Sequence, residues 1–472
     1  MSWRQVSLGH WQRPLGENER MIKWIGDRAH PIGREQWSIT ASGRFNLLGQ
    51  LKTSDTTARL QRAWVHLRFR HPSIAATASD NTLDYHVPDF AALTQWIEDT
   101  FHVIADPGVT ASDLVADLKP SPYVTVYFLP REQQVVLHTS HWRTDGFGAL
   151  QLLNAFFEAV ASDVDPKSVP WKEEPARLSP SIEKVLKIPT EPTQEIKAAT
   201  ADCLATVARA AGSVGLPYRG DHTTKPGGTR SVRRSFPAST TRGILQACDA
   251  RGLRLLSAVH ASLAKINFKF AGGSDLEPMH PGHYTSTMRF SLRPYLSAPF
   301  NTAQHASALY TGGYFVSVDA RSSWQEMAAQ YESLYSSGLG RGFLLARRQY
   351  AIEALAAMTR NAGATPVRSE IDISSVGNAE ELVAPIHHIS KEQGGAVSGL
   401  EIQDISLGVE CLTRETYLFL WTFKGKIGFQ LVYNEAFYEA KFMEMVLDAL
   451  AANLIEQLHF EDLTPERTSD IN

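Results

Sequence analysis

The sequence predicts an α/β protein with layered architecture, arranged as two halves joined by a long connection. Helical and strand-like patterns are interleaved along both halves, which is typical of layered helix-and-sheet folds. A segment rich in proline, glycine and charged residues separates the halves. The chain has 472 residues, of which 43% are hydrophobic, enough to bury a core in each half. We therefore expect an N-terminal lobe over residues 1–165, a connection over 166–235 and a C-terminal lobe over 236–472.

Composition excludes several classes of protein. Lys and Arg number 46 against 50 Asp and Glu, and they are dispersed, whereas a nucleic-acid-binding protein carries a concentrated basic stripe. The three cysteines, Cys203, Cys248 and Cys411, are far apart, which argues against a disulfide scaffold or a Cys-rich zinc site and favours a reducing compartment. We see neither a run of 18 apolar residues nor the apolar core of a signal peptide, so we expect a cytoplasmic protein without a membrane span.

The N-terminal half contains a helix, a hairpin and a second helix, in that order. An apolar stripe over residues 57–69 predicts the first helix, and Pro72 ends it because proline disfavours helical backbone at the residue before it. Two runs of β-branched and aromatic residues, 123–129 and 135–142, predict the hairpin. The second helix is expected over 147–160.

The C-terminal half alternates helices and strands in the same way. Residues 212–235, which precede it, combine glycine, proline and basic residues without apolar periodicity, so we expect a mobile segment there. The predicted elements of this half are a helix over 256–270, strands over 283–292 and 314–318, a helix over 322–338, a strand over 371–376, a hairpin over 416–434 that turns at Lys424-Gly425-Lys426, and a last helix over 443–454.

The segment HTSHWRTDG, residues 138–146, is the most informative for chemistry. His141 lies at the end of a predicted strand, where a side chain can reach a cleft, and an imidazole is a suitable general base near neutral pH. Asp145 could hydrogen-bond the imidazole, as in a triad, or pair with a distant cation and hold the loop, and the pattern leaves both roles open. Gly146 allows the backbone a positive φ or a close approach to another segment.

With this motif between a strand and a helix, the chain resembles the condensation-domain-like superfamily of HxxxDG acyltransferases. This superfamily includes plant BAHD acyltransferases, nonribosomal peptide condensation domains and fungal trichothecene O-acetyltransferases. Three further segments are similar to family segments in order and spacing: RAWVHLRFRHPSIAA, RFSLRPYL followed by TGGYFVSV, and ISSVGN, which resembles the strand that crosses between lobes. The resemblance covers most of residues 1–460 and is greatest to fungal enzymes of the trichothecene 15-O-acetyltransferase type.

The resemblance implies two chloramphenicol-acetyltransferase-like lobes with an active-site tunnel between them. His141 matches the catalytic histidine of the family. The family aspartate usually points away from the histidine and pairs with an arginine of the other lobe. Asp145 is therefore expected to be structural and to pair with Arg293, with Arg289 as the second choice. Oxyanion donors are expected either in backbone N–H groups near Gly146 or in a hydroxyl such as that of Ser375.

The sequence departs from the superfamily patterns at two places. Peptide condensation domains have a second histidine immediately before the catalytic one, and Ser140 takes that place here, which argues against peptide-bond formation. The DFGWG motif of the plant enzymes is missing, and the nearest segment is KGKIGF. Residues that bind the cosubstrate are therefore not assigned from the sequence.

The predicted function is that of an O-acyltransferase. It would move an acyl group, expected to be acetyl, from CoA to a hydroxyl of a small secondary metabolite such as a terpenoid or polyketide. Acyl-CoA is then a cosubstrate, and no bound cofactor, metal or nucleic acid is expected. The pairs His280/His283 and His387/His388 lack further ligands at fitting spacing, and we expect them to be structural or surface residues. We also expect a monomer.

Two alternatives stay open on the sequence alone. The first keeps the fold but takes the acyl group from a carrier protein, or uses the tunnel for a cyclisation. The second is a catalytically inactive homologue that binds a ligand.

Overall fold

The computed structural model describes residues 2–162, 164–271, 282–361, 368–391 and 397–459. His280 and residues 394–396 of the glycine-rich GGAVSG segment lie outside these ranges. The strands are β1 Arg4–Ser7, β2 His10–Pro14, β3 Ile39–Leu48, β4 Thr77–Ser79, β5 Thr82–His86, β6 Phe101–Val103, β7 Thr125–Leu129, β8 Gln134–Thr139, β9 Thr229–Ser235, β10 His283–Ser291, β11 Thr311–Asp319, β12 Ile371–Asn378, β13 Ile386–Lys391, β14 Val397–Val409, β15 Thr416–Phe423 and β16 Lys426–Asn434. The helices are α1 Glu17–Asp27, α2 Thr56–Arg70, α3 Phe90–Thr100, α4 Ala111–Ala116, α5 Gly146–Val160, α6 Ile182–Val185, α7 Gln194–Val207, α8 Ala238–Asp249, α9 Leu255–Ala271, α10 Trp324–Ser337, α11 Arg341–Arg360 and α12 Ala440–Gln457.

The N-terminal lobe is built on a six-stranded sheet in the order β13-β14-β3-β8-β7-β6. Helices α2 and α5 pack together, and their aromatic side chains fill the core beside the sheet. Trp64 of α2 stacks on Trp96 with ring centroids 5.2 Å apart and meets Phe156 of α5 edge-on. A smaller sheet, β1-β2-β5-β4, also belongs to this half of the chain.

The C-terminal lobe is built on a four-stranded sheet in the order β12-β15-β16-β9, with α8, α9 and α12 in its core. The ribbon β10-β11 lies beside β12, and the amide of Thr287 donates to Asp372 Oδ1 at 3.0 Å. Strands β15 and β16 are joined by a tight turn in which Lys424 (φ 50°) and Gly425 (φ 69°) both take positive φ, as a two-residue hairpin turn requires.

The hairpin β13-β14 leaves the C-terminal half of the chain and completes the N-terminal sheet. β14 pairs antiparallel with the whole length of β3, from Gly399 opposite Leu48 to Val409 opposite Ile39. The ISSVGN segment, which resembles a crossing strand, forms β12 and stays in the C-terminal sheet, parallel to β15. The strands that cross are the two that follow it.

The predicted connection over 166–235 is more structured than its composition suggests. It contains helix α7 and strand β9, and β9 is hydrogen-bonded along β16 as the edge of the C-terminal sheet. The expectation of a mobile segment over 212–235 is therefore wrong for residues 229–235, which form a strand of the sheet. β9 has the sequence TRSVRRS, and only Thr229 and Val232 are buried. Backbone hydrogen bonds to β16 therefore stabilise the strand, and its sequence shows little apolar alternation from which it could be predicted.

Helices α1, α7 and α11 cover one side of the space between the lobes. α11 packs against both α1 and α7, and Arg348 of α11 forms an ion pair with Glu17 of α1 at 2.8 Å. These three helices come from the N-terminal half, the connection and the C-terminal half respectively. In the ranges that the structure covers, no helix has both the length and the apolar character needed to span a bilayer.

Candidate active site

A cavity of about 940 Å³ lies between the two lobes. Its wall is mostly apolar and is formed by α1, the start of α5, β10, β11, α11, β12, β14 and β15. Five of the residues that the sequence singled out line it: His141, Asp145, Gly146, Arg289 and Ser375. Arg293 does not line this cavity.

His141 follows the end of β8, in a short 3-10 turn that leads into α5. Its Nδ1 lies 3.1 Å from the carbonyl oxygen of Thr144. Because a carbonyl only accepts, we assign the proton to Nδ1, which leaves the lone pair on Nε2. Burial lowers the pKa of His141 below 6.5, although the charge of Asp145 opposes this shift. The ring is therefore neutral at physiological pH and can accept a proton.

Trp37 lies beside the imidazole, and no sequence motif indicated it. The two ring centroids are 6.5 Å apart in an edge-to-face arrangement. Trp37 Nε1 donates to the hydroxyl of Tyr417 at 2.8 Å, and Trp37 itself has φ 67°, an uncommon value for a bulky residue. This contact joins the segment before β3 to β15 of the other lobe, which no local pattern predicts.

Asp145 points away from His141, and both oxygens of its carboxylate accept hydrogen bonds. Arg293 Nη1 lies 2.7 Å from one carboxylate oxygen and 2.8 Å from the other. The amides of Gly148 and Tyr310 also donate to it, at 2.9 and 2.8 Å. The contact with Arg293 uses one nitrogen for both oxygens, and Arg293 Nη2 reaches the carbonyl of Ala308 instead. Of the two roles left open by the sequence, this geometry is that of a loop support.

Gly146 is the first residue of α5 and does not take a positive φ. A Cβ placed there would lie 3.1 Å from Leu407 Cδ2 of β14. Of the two reasons considered for a glycine at this position, the close approach of another segment is the one observed. That segment belongs to the crossing hairpin, so Gly146 lies where the two halves of the chain meet.

Arg289 and Ser375 come from the C-terminal half. Arg289 is not bonded to Asp145: it donates to Asp372 Oδ2 at 2.8 Å and to the carbonyl of Ile373 at 2.9 Å, within its own lobe. Its charge nevertheless helps to lower the pKa of His141. Ser375 Oγ accepts from the amide of Gly377 at 3.1 Å, which leaves its own proton free to be donated.

Of the histidines considered as metal ligands, the described ones, His283, His387 and His388, do not line the cavity. His387 is buried in the N-terminal lobe with its ring 6.2 Å from that of Phe157. A cluster that the sequence did not indicate brings ligand-type atoms of Asp27, His30 and Glu35 within 4.8 Å of one another. A hydrogen bond to Glu35 raises the pKa of His30, so a histidine between two carboxylates accounts for this group as an ion pair.

Comparison with known proteins gives clear relatives. No protein-family model matches the chain. The chain is 50% identical over 466 residues to the acetyltransferase pigO of Monascus ruber, covering 98% of this chain and 99% of the relative. It is 28% identical over 465 residues to the O-acetyltransferase pigM of the same organism, covering 98% and 88%. The solved structure of the TRI3 trichothecene 15-O-acetyltransferase of Fusarium sporotrichioides aligns with a TM-score of 0.78 at 15% identity, over 96% of this chain and 97% of that one.

The fold is therefore that of the two-lobed, condensation-domain-like acyltransferases. The chain belongs to the family of fungal acetyltransferases that contains pigO and pigM.

Proposed function

We propose that the protein transfers an acetyl group from acetyl-CoA to a hydroxyl of a small secondary metabolite, with His141 as the general base. The observation that carries this proposal is the neutral His141 with its Nδ1 proton held by Thr144 at the wall of the inter-lobe cavity. The relative pigM is named an O-acetyltransferase, and TRI3 is named a trichothecene 15-O-acetyltransferase. These names support O-acetyl transfer as the reaction, and the name of TRI3 gives a trichothecene as an example of an acceptor.

The proton transfers follow from the tautomer. His141 Nε2 takes the proton of the acceptor hydroxyl as the hydroxyl oxygen attacks the thioester carbonyl carbon. When the tetrahedral intermediate collapses, the carbon–sulfur bond breaks and the imidazolium returns the proton to the departing thiolate. The hydrogen bond to Thr144 keeps the ring oriented through both steps and stabilises the imidazolium, since the N–H donor at Nδ1 is kept throughout.

Oxyanion stabilisation is proposed at the N-terminus of α5. Asp145 is the N-cap, and its side chain already holds the amide of Gly148. The amides of Gly146 and Phe147 come earlier in the helix, where no intrahelical acceptor exists, and both residues line the cavity. Two amide donors and the positive end of a helix dipole suit a developing oxyanion. The hydroxyl of Ser375 is a further candidate donor from the other lobe.

The assay for the proposal is acetyl transfer from acetyl-CoA to a panel of hydroxylated terpenoids and polyketides, read by product mass and release of free CoA. His141→Ala should lower the rate by roughly 10²–10⁴-fold because the general base is lost. The exposed His222 provides a matched control, and His222→Ala should leave the rate unchanged.

Other outcomes would overturn the proposal. If acylation occurs only from a loaded carrier protein, the carrier protein and not acetyl-CoA is the donor. A His141→Ala variant with the wild-type rate would remove the general base from the mechanism. Tight binding of acceptors without turnover in any format would indicate an inactive binding homologue.

A further inference from the structure

Arg347 is a buried cation on the wall of the inter-lobe cavity. Only 2% of the residue is exposed, and it belongs to α11, which covers the cavity. Its Nε and Nη1 are buried and have no hydrogen-bond partner. Buried polar groups in proteins are nearly always hydrogen-bonded, so each exception calls for an explanation.

No carboxylate within the described ranges forms an ion pair with Arg347. The carboxylate whose charge acts on it is that of Glu183, but Glu183 forms no ion pair with Arg347 and instead accepts a hydrogen bond from the amide of Asn18 at 2.8 Å. Arg348, the next residue, shows the contrast, because it forms an ion pair with Glu17 at 2.8 Å. The guanidinium of Arg347 is thus held in a site that provides little negative charge.

Two aromatic rings hold the guanidinium in place. Its central carbon lies 4.6 Å from the ring centroid of Phe343 and 4.3 Å from that of Tyr350, both on α11. Cation–π contacts of this kind favour the cation and do not use its N–H donors. A side-chain hydrogen bond with Tyr350 opposes the lowering of the Arg347 pKa by burial, while Nε and Nη1 have no hydrogen-bond partner. Gly312 of β11 lies next to the guanidinium, where a Cβ would be in van der Waals contact with Arg347 Nη1 at 3.5 Å.

A buried, unpaired guanidinium costs stability, and an apolar side chain of similar volume would cost less. A fixed, desolvated donor group at the wall of a ligand cavity is suited to bind an anionic oxygen of a ligand. The surrounding wall is mostly apolar, so the same ligand should present an apolar body.

We propose that Arg347 binds an anionic oxygen, a carboxylate or an acidic enol, on the acceptor, at a position separate from the hydroxyl that is acetylated. This inference rests on the proposed function for the identity of the cavity as the acceptor site. The acceptor class is then an apolar hydroxylated compound that also carries an acidic oxygen. Arg347 acts in binding and orientation, and His141 alone handles the proton of the reacting hydroxyl.

The test uses a matched pair of fluorescent probes, 6-hydroxy-2-naphthoate and its methyl ester, which differ only in the anionic oxygen. Their binding to the full chain is titrated by fluorescence without acetyl-CoA, so the result does not depend on turnover. We expect the wild-type protein to bind the acid about tenfold or more tightly than the ester, since hydrogen bonds to charged groups are among the stronger ones. Arg347→Met should abolish this preference, and Arg347→Lys should retain part of it.

Stability and a control variant distinguish binding from packing. Arg347→Met should unfold at the same temperature as the wild type or higher, because it removes an unpaired buried charge. Arg341 lies exposed at the start of the same helix, and Arg341→Gln should leave the preference unchanged. Equal affinity of the wild-type protein for the two probes would overturn the proposal. So would an Arg347→Met variant that is destabilised but keeps the preference, which would make the residue structural.

The source of the anionic oxygen is tested in the same variants. Arg347→Met should bind acetyl-CoA with the same affinity as the wild type. A tenfold loss of affinity for acetyl-CoA, with the naphthoate preference unchanged, would place the anionic oxygen on the donor and overturn the inference. Failure of the proposed function gives a different result: no acetyl transfer to any acceptor, with the probe preference intact.

Discussion

His141 and Asp145 are four residues apart, yet they serve different parts of the protein. The imidazole faces the cavity, and its second nitrogen is held by a backbone carbonyl. The carboxylate faces Arg293 and two backbone amides from three separate segments of the chain. We therefore propose that Asp145 supports activity by holding the loop on which His141 is placed.

Asp145→Asn should lower the free energy of unfolding of the protein as well as its rate of acetyl transfer. The amide side chain is nearly the same size, but it leaves the buried Arg293 charge without a counter-ion. Breaking one partner of a buried ion pair typically costs about 3–5 kcal/mol in the free energy of unfolding. Chemical denaturation of the purified variant measures this loss.

The exposed ion pair between Arg234 and Asp448 is the control for this change. Asp448→Asn should alter the free energy of unfolding by less than about 1 kcal/mol, because solvent screens exposed pairs. An Asp145→Asn variant of normal stability that has lost only activity would contradict the supporting role.

Two glycines at the start of α5 differ in how much space surrounds them for a side chain. A Cβ on Gly148 would lie 2.1 Å from the backbone oxygen of Ala306, whereas a Cβ on Gly146 would meet the end of the Leu407 side chain at 3.1 Å. A side-chain methyl group can move by rotation, and a backbone carbonyl held between segments cannot. The helix is therefore packed against the C-terminal half more tightly at its third residue than at its first.

Gly148→Ala should lower the free energy of unfolding by about 1–3 kcal/mol or more, as overpacking does. Gly146→Ala should change it by less than about 1 kcal/mol, because Leu407 can move aside. Thermal unfolding of the two variants checks the difference. Equal destabilisation by both alanines would show that Leu407 is as rigid as the Ala306 backbone.

The elements around His141 could be predicted because they are local. The hairpin β7-β8 and helix α5 carry their periodicity in consecutive residues, and Asp145 caps the helix that follows it. β14 escaped prediction because its register shifts between Ile402 and Asp404, which breaks the alternation of apolar residues. α11 escaped prediction because its buried residues are two alanines and two arginines, so no apolar stripe marks the helix in the sequence.

At the scale of the whole molecule, the site is assembled from distant parts of the chain. Trp37, His141 and Arg347 meet the same cavity from segments that a sequence window cannot relate. The family resemblance predicted the pairing of Asp145 with Arg293, and the geometry places these two side chains together. No motif indicated Trp37 or Arg347, because their roles depend on φ, burial and missing partners, which only the folded chain reveals.

Four buried histidines make the stability of the whole fold sensitive to acid. Burial lowers the pKa of His71 and His260 to about 3, and that of His138 and His305 to about 4. Below pH 6.5 the unfolded chain binds protons at these positions and the native fold does not. The free energy of unfolding should therefore fall as pH decreases from about 6.5 toward 4, by up to about 1.4 kcal/mol per pH unit for each histidine.

Unfolding midpoints measured between pH 7 and pH 5 check this prediction. Burial raises the pKa of Glu370 to about 7 and also raises the pKa values of Glu183 and Glu410; these three groups act in the opposite direction and make the net decrease in stability smaller. Equal stability at pH 7 and pH 5 would contradict the predicted effect of the histidines. His138→Phe, which removes one of the four groups, should weaken the pH dependence.

The β13-β14 hairpin has a consequence for how the protein is made on the ribosome. β3 leaves the exit tunnel early, but its neighbour β14 is synthesised several hundred residues later. At ordinary rates of translation this interval lasts roughly tens of seconds. During that time the first half carries an unfilled strand position beside β3, an edge open to wrong pairing. Nascent chains of this enzyme should therefore need chaperone protection until the last third of the polypeptide has emerged.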